Sequence, residues 1–415
     1  MTARSTAGPL LLALILAVAT ACEDDPVAPI DDDEEELPVS APLPVVGHGL
    51  VPERYTAEVA IHGSWAYTSS WSSRAGNPGN KVVVWNIVGD QPVAADSLIV
   101  PFASTTGDVQ VSDDGALLMV ATERTGGSVM LYDLQANATR PPLITRYTSP
   151  ATNPGVHTAK FGRVGGTLYA FLSIDPLNTS EGSIAAALVI LDLSDPAAPV
   201  EVLVRTMGQP FVHDVFVRDG ILFTALWDAG LTLWDIGGGG LGGTPADPVQ
   251  IGNVLTEGGN VHNVWWYHDA LTGEQRYAFV GEEEVGGAIG FNSGGDLHVV
   301  DVSDMANPVE VAFYHVPGAG AHNFDVDEQN GVLYAAFYNG GVRALDVRGD
   351  LSACGAEQRA ADGRCDLKLM EREAGVGLAD VSPVAVWGVQ HRGTRVWASD
   401  MVSGLYVLDV SALRR

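Results

Sequence analysis

The 415-residue chain is short of cysteine, with three in all, and short of cations, with 22 Lys and Arg against 51 Asp and Glu. Each shortage excludes something. No Cys-x-x-Cys or Cys-x-x-Cys-His pair is present, so a cytochrome reading has no support. A formal net charge of −29 sets the surface against nucleic acid and anionic lipid, and no nucleic-acid partner is expected. Nor is there a Gly-x-Ser-x-Gly elbow, a phosphate-cradling loop ending in Gly-Lys-Ser/Thr, or a His-Glu-x-x-His pair. Hydrolase and kinase readings therefore lack their usual machinery. The apolar run at the N-terminus, Leu10–Val18, is too short to span a bilayer comfortably.

That run has another use. Arg4 precedes it and Ala19-Thr20-Ala21-Cys22 follows, which is the charge, apolar stretch and small-residue order of an export signal. The Cys after small residues resembles the bacterial lipobox, although Ala19 stands where Leu is usual. The resemblance implies that residues 1–21 are a signal peptide and that Cys22 is lipidated, tethering the protein to the cell envelope of a bacterium. A plain secretory signal remains the alternative, and either way the protein is expected outside the cytoplasm. Residues 22–42 are acidic and Pro-rich, a linker with too little apolar surface to offset its ordering entropy. Its run Asp31–Glu36 reads as a self-repelling tether, with weak Ca²⁺ binding as the other use.

What the rest of the chain has in abundance is one repeated unit. Val212–Ile236 shows it most clearly: Val215 and Val217 alternate in a first strand, Asp219-Gly220 makes a tight turn, Leu222–Leu226 is a second strand and Leu231–Ile236 a third. Pro248–Gly252 supplies a fourth, with Pro at its first position. Four short strands cannot bury both their faces alone. Stacking such sheets around an axis does so, and seven units follow one another from Glu53 onward. The prediction is an all-β, seven-bladed β-propeller of four-stranded blades over residues 43–415, forming one domain and expected to be a monomer. The seventh unit ends without a fourth strand, whereas Leu43–Gly47 carries a fourth-strand pattern. A strand near residues 43–50 is therefore expected to complete the last blade and join the chain ends.

Two of these units, LVILDLSDPAAPVEV (Leu188–Val202) and LHVVDVSDMANPVEV (Leu297–Val311), resemble the LVIVD repeat of exported bacterial and archaeal proteins. The resemblance implies a propeller and an exported address. It implies no reaction.

With Cys22 assigned to lipid, Cys354 and Cys365 remain. Both lie in Asp350–Leu367, an irregular polar insertion between the third and fourth strands of the sixth unit. In an oxidising compartment such a pair reads as a disulfide; free thiols or a metal pair are the alternatives. Arg348-Gly349-Asp350 spells an integrin tripeptide, which strand-end chemistry explains as well.

Candidate chemistry lies in a histidine that opens the first strand of four successive units: His157, His213, His262 and His322. Asp108 holds the equivalent place in the second unit. First strands of a propeller are innermost, so these imidazoles are expected around one mouth of the channel. Glu123, Asp175, Asp228, Glu282, Glu283 and Tyr338 lie on loops arriving at that end. Imidazoles with carboxylates suit a divalent transition metal, but a histidine fixed in a repeat also serves as an inter-blade strut, and both readings stand. For Glu282–Glu284 a solvated loop and a cation site are the alternatives, with the Gly-rich segment after it as a rim. Trp227, Trp265, Trp266 and Tyr267 form either an aromatic wall for a ligand or packing between blades. His62, His268, His298 and His391 fall off the repeat position and read as surface or strand residues. Three functions follow: an envelope-tethered module binding a protein, glycan or small molecule, as the leading reading; a metalloenzyme with its ion at the channel mouth; or a purely structural envelope protein with neither a convergent site nor a pocket.

Overall fold

The computed structural model describes residues 40–179, 182–207, 211–284 and 293–414. Residues 1–21, Cys22 and the linker up to residue 39 lie outside that set, as does most of the Gly-rich segment after Glu284. The described chain forms seven blade sheets, each built on four antiparallel strands that follow one another in sequence order except where the N-terminal strand closes the last, and a separate two-stranded sheet pairing Leu177–Thr179 with Gly182–Ile184. Blade four is the unit read above: Asp214–Arg218, Ile221–Ala225, Leu231–Asp235 and Val249–Val254. Its first turn works as the residues dictate, because Asp219 and Gly220 both take left-handed φ values, of 50° and 72°.

The core follows from the pattern within each blade. Second and third strands are apolar on both faces because both faces meet a neighbouring blade: Ile221–Ala225 is buried throughout. Outer strands are exposed in alternation, as in Val200–Thr206. First strands of adjacent blades lie against one another and line the axis.

Closure occurs as expected. Val45–Leu50 pairs antiparallel with Gly404–Asp409 and forms the outer strand of blade seven. The N-terminal strap also extends further than its composition suggested, since Ala41 and Pro42 pair parallel with Gly375 and Val376 on the rim of blade six. Two residues assigned to the linker thus belong to the propeller. Main-chain hydrogen bonds to a rim strand outweigh the loss at Pro42, which needs no N–H on its outer side.

Cys354 and Cys365 form a disulfide in the blade-six insertion, between Val342–Asp346 and Glu373–Gly377. The insertion does not stay on its own blade. Cys365–Asp366 pairs with Ala312 and Phe313, adding a fifth strand to blade five. Arg348 and Asp350 are engaged locally, Arg348 with Asp346 and Asp350 with Tyr277 and Arg276.

Candidate functional site

The four repeat histidines come together. Each follows the loop that enters a new blade, so each opens an inner strand at the same end of the channel. Ring centroids succeed one another at 4.4 Å from His157 to His213, 4.0 Å to His262 and 4.2 Å to His322. They lie under a recess of about 200 Å³ rimmed by Trp71, Phe211, Trp227 and Trp387. Trp227 and Tyr338 occupy the same place in blades four and six, after the second strand, and both have left-handed backbones, φ 53° and 38°. Bulky residues adopt that conformation at a cost of about 1–3 kcal/mol. Each is held by main-chain bonding to the next blade, Trp227 through a reciprocal pair with Val261 and Tyr338 through one bond from Val386 N–H to its carbonyl.

Hydrogen bonds fix how the rings face. His213 Nδ1 is 3.0 Å from the His262 carbonyl and His322 Nδ1 is 2.6 Å from the Trp387 carbonyl. A carbonyl only accepts, so both Nδ1 atoms carry the proton and both Nε2 atoms present a lone pair. His157 differs: Nδ1 is 3.2 Å from Asp175 and 3.9 Å from Glu123, and Nε2 is 2.9 Å from His213 Nε2. It donates to the lone pair of His213. His262 has no hydrogen-bond partner at either nitrogen although it is 2% exposed.

Electrostatics agree with these roles. Burial and the neighbouring imidazoles push His213 and His262 well below the usual histidine range, and burial takes His322 to about 3, so all three are neutral. Burial also opposes charge on His157, but the Asp175 hydrogen bond and the Glu123 and Asp175 carboxylates outweigh it and raise the pKa to about 9. Gly107 leaves room for the Glu123 carboxylate, which a Cβ there would displace.

Glu283 joins the cluster: its Oε2 is 3.6 Å from His262 Nε2 and 3.9 Å from His213 Nε2, and the Tyr338 hydroxyl donates to its other oxygen. His213, His262 and Glu283 offer three potential metal-ligand atoms within 4.8 Å of one another, as do Glu123, His157 and Asp175.

Several expectations are corrected. Glu282 and Glu283 are not a solvated loop; they are 4% and 6% exposed, and only Glu284 faces solvent. Strand alternation sends the first two to opposite faces. Asp228 is exposed and stands outside the mouth, because the left-handed turn at Trp227 aims the indole inward. The aromatic wall does not form: Trp227 rims one mouth, Trp265 the other, and Trp266 and Tyr267 are buried packing. His298 is a strand residue, the second of the two readings, within Leu297–Asp301, and is 1% exposed, with Nδ1 2.6 Å from Glu310 and Nε2 2.9 Å from Glu282.

Beneath the histidines lies a layer the repeat pattern did not reveal. Lys160 is 3.6 Å from Asp214 and 4.0 Å from Asp108, and Asn323 donates to Glu58. Burial raises Glu58 to about 7 and Asp214 to about 6. This polar plug separates the histidine mouth from a second cavity of about 390 Å³, where Phe161, Phe216 and Trp265 line the opposite end. Position two residues or fewer from a repeat histidine was the available signal for Asp214 and Asn323. Lys160 and Glu58 had none.

The LVIVD repeat family pattern matches residues 184–205 and 290–316, the third and outer strands of blades three and five. No curated protein matches the sequence significantly. Among solved structures the chain is similar to Sqt1 of Saccharomyces cerevisiae, at 10% identity over 90% of this chain and 87% of that one, with a TM-score of 0.55. At that identity the likeness concerns the fold alone.

Proposed function

We propose, from two LVIVD-repeat matches within a seven-bladed β-propeller, that the chain is an exported, lipid-tethered module that binds a small ligand in the histidine-lined mouth of its channel. One observation carries the reading: imidazoles from four successive blades and Glu283 gather under an aromatic-rimmed recess of about 200 Å³. A channel that needed only packing would be filled by apolar side chains, as the blades' own interiors are. This one holds buried polar groups that face open space, among them the unpartnered His262. Such groups are costly unless something satisfies them. Aromatic side chains around convergent polar ones are the common form of a small-molecule site.

The address rests on the Arg4 to Cys22 pattern, with the acidic segment as a tether, and the disulfide fits an oxidising compartment. A second reading, a metalloenzyme, is favoured by the convergence of lone pairs on Glu283.

Native mass spectrometry of the full-length protein, extracted from its envelope in mild detergent, tests the binding. The expected result is a retained mass in the wild type that Trp227→Ala loses. No retained mass in either protein contradicts the reading. Release of a Cys22→Ala variant from the membrane fraction is the expected result for the tether; unchanged fractionation contradicts it.

A further inference from the structure

We infer that the mouth binds one divalent first-row transition-metal ion through His213 Nε2, His262 Nε2 and a Glu283 carboxylate oxygen, leaving a coordination position open to the recess. This inference deepens the ligand-binding reading and rests on it.

The first argument is distance. In a tetrahedral site with ligands ~2.0–2.1 Å from the ion, ligand atoms stand about 3.3 Å from one another. His262 Nε2 and His213 Nε2 are 3.6 and 3.9 Å from Glu283 Oε2. Those two edges are within about 0.6 Å of the tetrahedral spacing, and all three ligand atoms lie within 4.8 Å of one another.

The second is tautomer. The His213 Nδ1 proton is committed to the His262 carbonyl, so Nε2 is the donor nitrogen; its lone pair accepts from His157 in the metal-free site, and an ion beside Glu283 takes that bond's place. Metal-bound histidines characteristically donate their other N–H to a carbonyl or carboxylate in this way. Tyr338, held in its strained backbone conformation, donates to Glu283 and fixes the carboxylate's orientation.

The third is the unpartnered ring. His262 is 2% exposed, and neither of its nitrogens has a hydrogen-bond partner. A strut would bond the neighbouring blade, as His213 and His322 do. His262 instead sits between those two rings with Nε2 toward Glu283, where an ion gives its lone pair a partner.

Two imidazoles and one carboxylate form a donor set suited to zinc, iron(II) and their neighbours, and imidazole disfavours calcium or magnesium. His157 stands beside the open position, 2.9 Å from His213 Nε2, backed by Asp175. It is placed to bond a group bound to the ion or to become a fourth ligand. The Glu282–His298–Glu310 cluster, though equally buried, makes no such site, because both its nitrogens already face carboxylates.

The test is titration of the full-length protein, stripped with chelator, using Zn²⁺ followed by calorimetry and Co²⁺ followed by visible absorption. Wild type, Glu283→Gln and His262→Ala are compared. Glu283→Gln is isosteric and keeps an acceptor for Tyr338, so it guards against a folding artefact, which circular dichroism checks. One equivalent is expected in the wild type, with the intense visible bands of low-coordinate cobalt. Affinity is expected to fall about 100-fold or more in each variant, as loss of a first ligand exceeds the 10–100-fold cost of losing its outer partners. Absence of binding in the wild type overturns the inference. So does unchanged binding in both variants, which would place the ion elsewhere, such as on the Asp31–Glu36 run. A retained organic ligand at the mouth without metal would overturn the inference while leaving the ligand-binding reading intact.

Discussion

Glu282 and Glu283 are consecutive, both buried, and each faces histidine, yet they belong to opposite kinds of structure. Glu282 ends the second strand of blade five and, with Glu310, brackets His298, while Arg364 of the insertion closes on Glu310. Burial opposes the charge on His298, but the two carboxylates outweigh it and raise its pKa to about 9. Nδ1 of His298 is hydrogen-bonded to Glu310, and Nε2, 2.9 Å from Glu282 without hydrogen-bond alignment, is held by charge, so acid and base there neutralise one another. Glu283 points the other way, toward imidazoles that are neutral and, at His262, unpartnered. Satisfied polar burial stabilises a fold; unsatisfied polar burial costs stability and calls for a ligand.

The sharpest way to break this contrast is His298→Ala. It leaves Glu282 and Glu310 buried with a cation removed, for which about 3–5 kcal/mol of destabilisation is expected in urea unfolding. A loss below about 1 kcal/mol would show that the cluster is not a structural lock.

Next in size is the disulfide that anchors the insertion carrying Arg364. Its cysteines are 11 residues apart, and Cys354→Ser with Cys365→Ser is expected to cost about 2–4 kcal/mol by the same measurement. Because the insertion pairs with blade five, loss of protection there is expected in hydrogen exchange, with the mouth unaffected.

The two histidine environments are also expected to respond oppositely to pH. His298 holds its proton in the folded state up to about 9 against 6.5 unfolded, so its stabilisation is full below about 6.5 and is lost as pH rises through 9. His322 refuses a proton down to about 3, so its share is present above 6.5 and is lost as pH falls toward 3. The stability deficit of His298→Ala should therefore shrink in alkali, and that of His322→Ala in acid. Parallel profiles would contradict the assignment.

The smallest expected effect is the most telling. His262→Ala loses packing but also removes unpartnered nitrogens, and the metal-free variant is expected within about 1 kcal/mol of wild type. A large loss would make His262 a strut.

How much of this was legible in the sequence differs between the two regions. The repeat that fixes blade number also places His157, His213, His262 and His322 at strand starts, so their gathering at one mouth followed from period alone. Closure by Val45–Leu50 was legible for the same reason: a fourth-strand pattern was missing at one end and present at the other. The His298 cluster was not legible. A register shift between Val299 and Val300 opposes Glu310 to Val300, diagonal to His298, and Arg364 arrives from an insertion without periodicity. Glu282–Glu284 misled because three like charges in a row suggest solvent, whereas strand alternation separates the first two. Asp228 misled for the converse reason, since the left-handed backbone at Trp227 turns it outward.

The central claim is that the neutral imidazoles beside Glu283, His213 and the unpartnered His262, exist to hold an ion. Diffraction from zinc-soaked crystals, recorded above and below the zinc absorption edge, tests it directly. The account predicts one anomalous peak about 2.0–2.2 Å from His213 Nε2, His262 Nε2 and a Glu283 oxygen. No peak at the mouth, or a peak between Glu282, His298 and Glu310 instead, would contradict it.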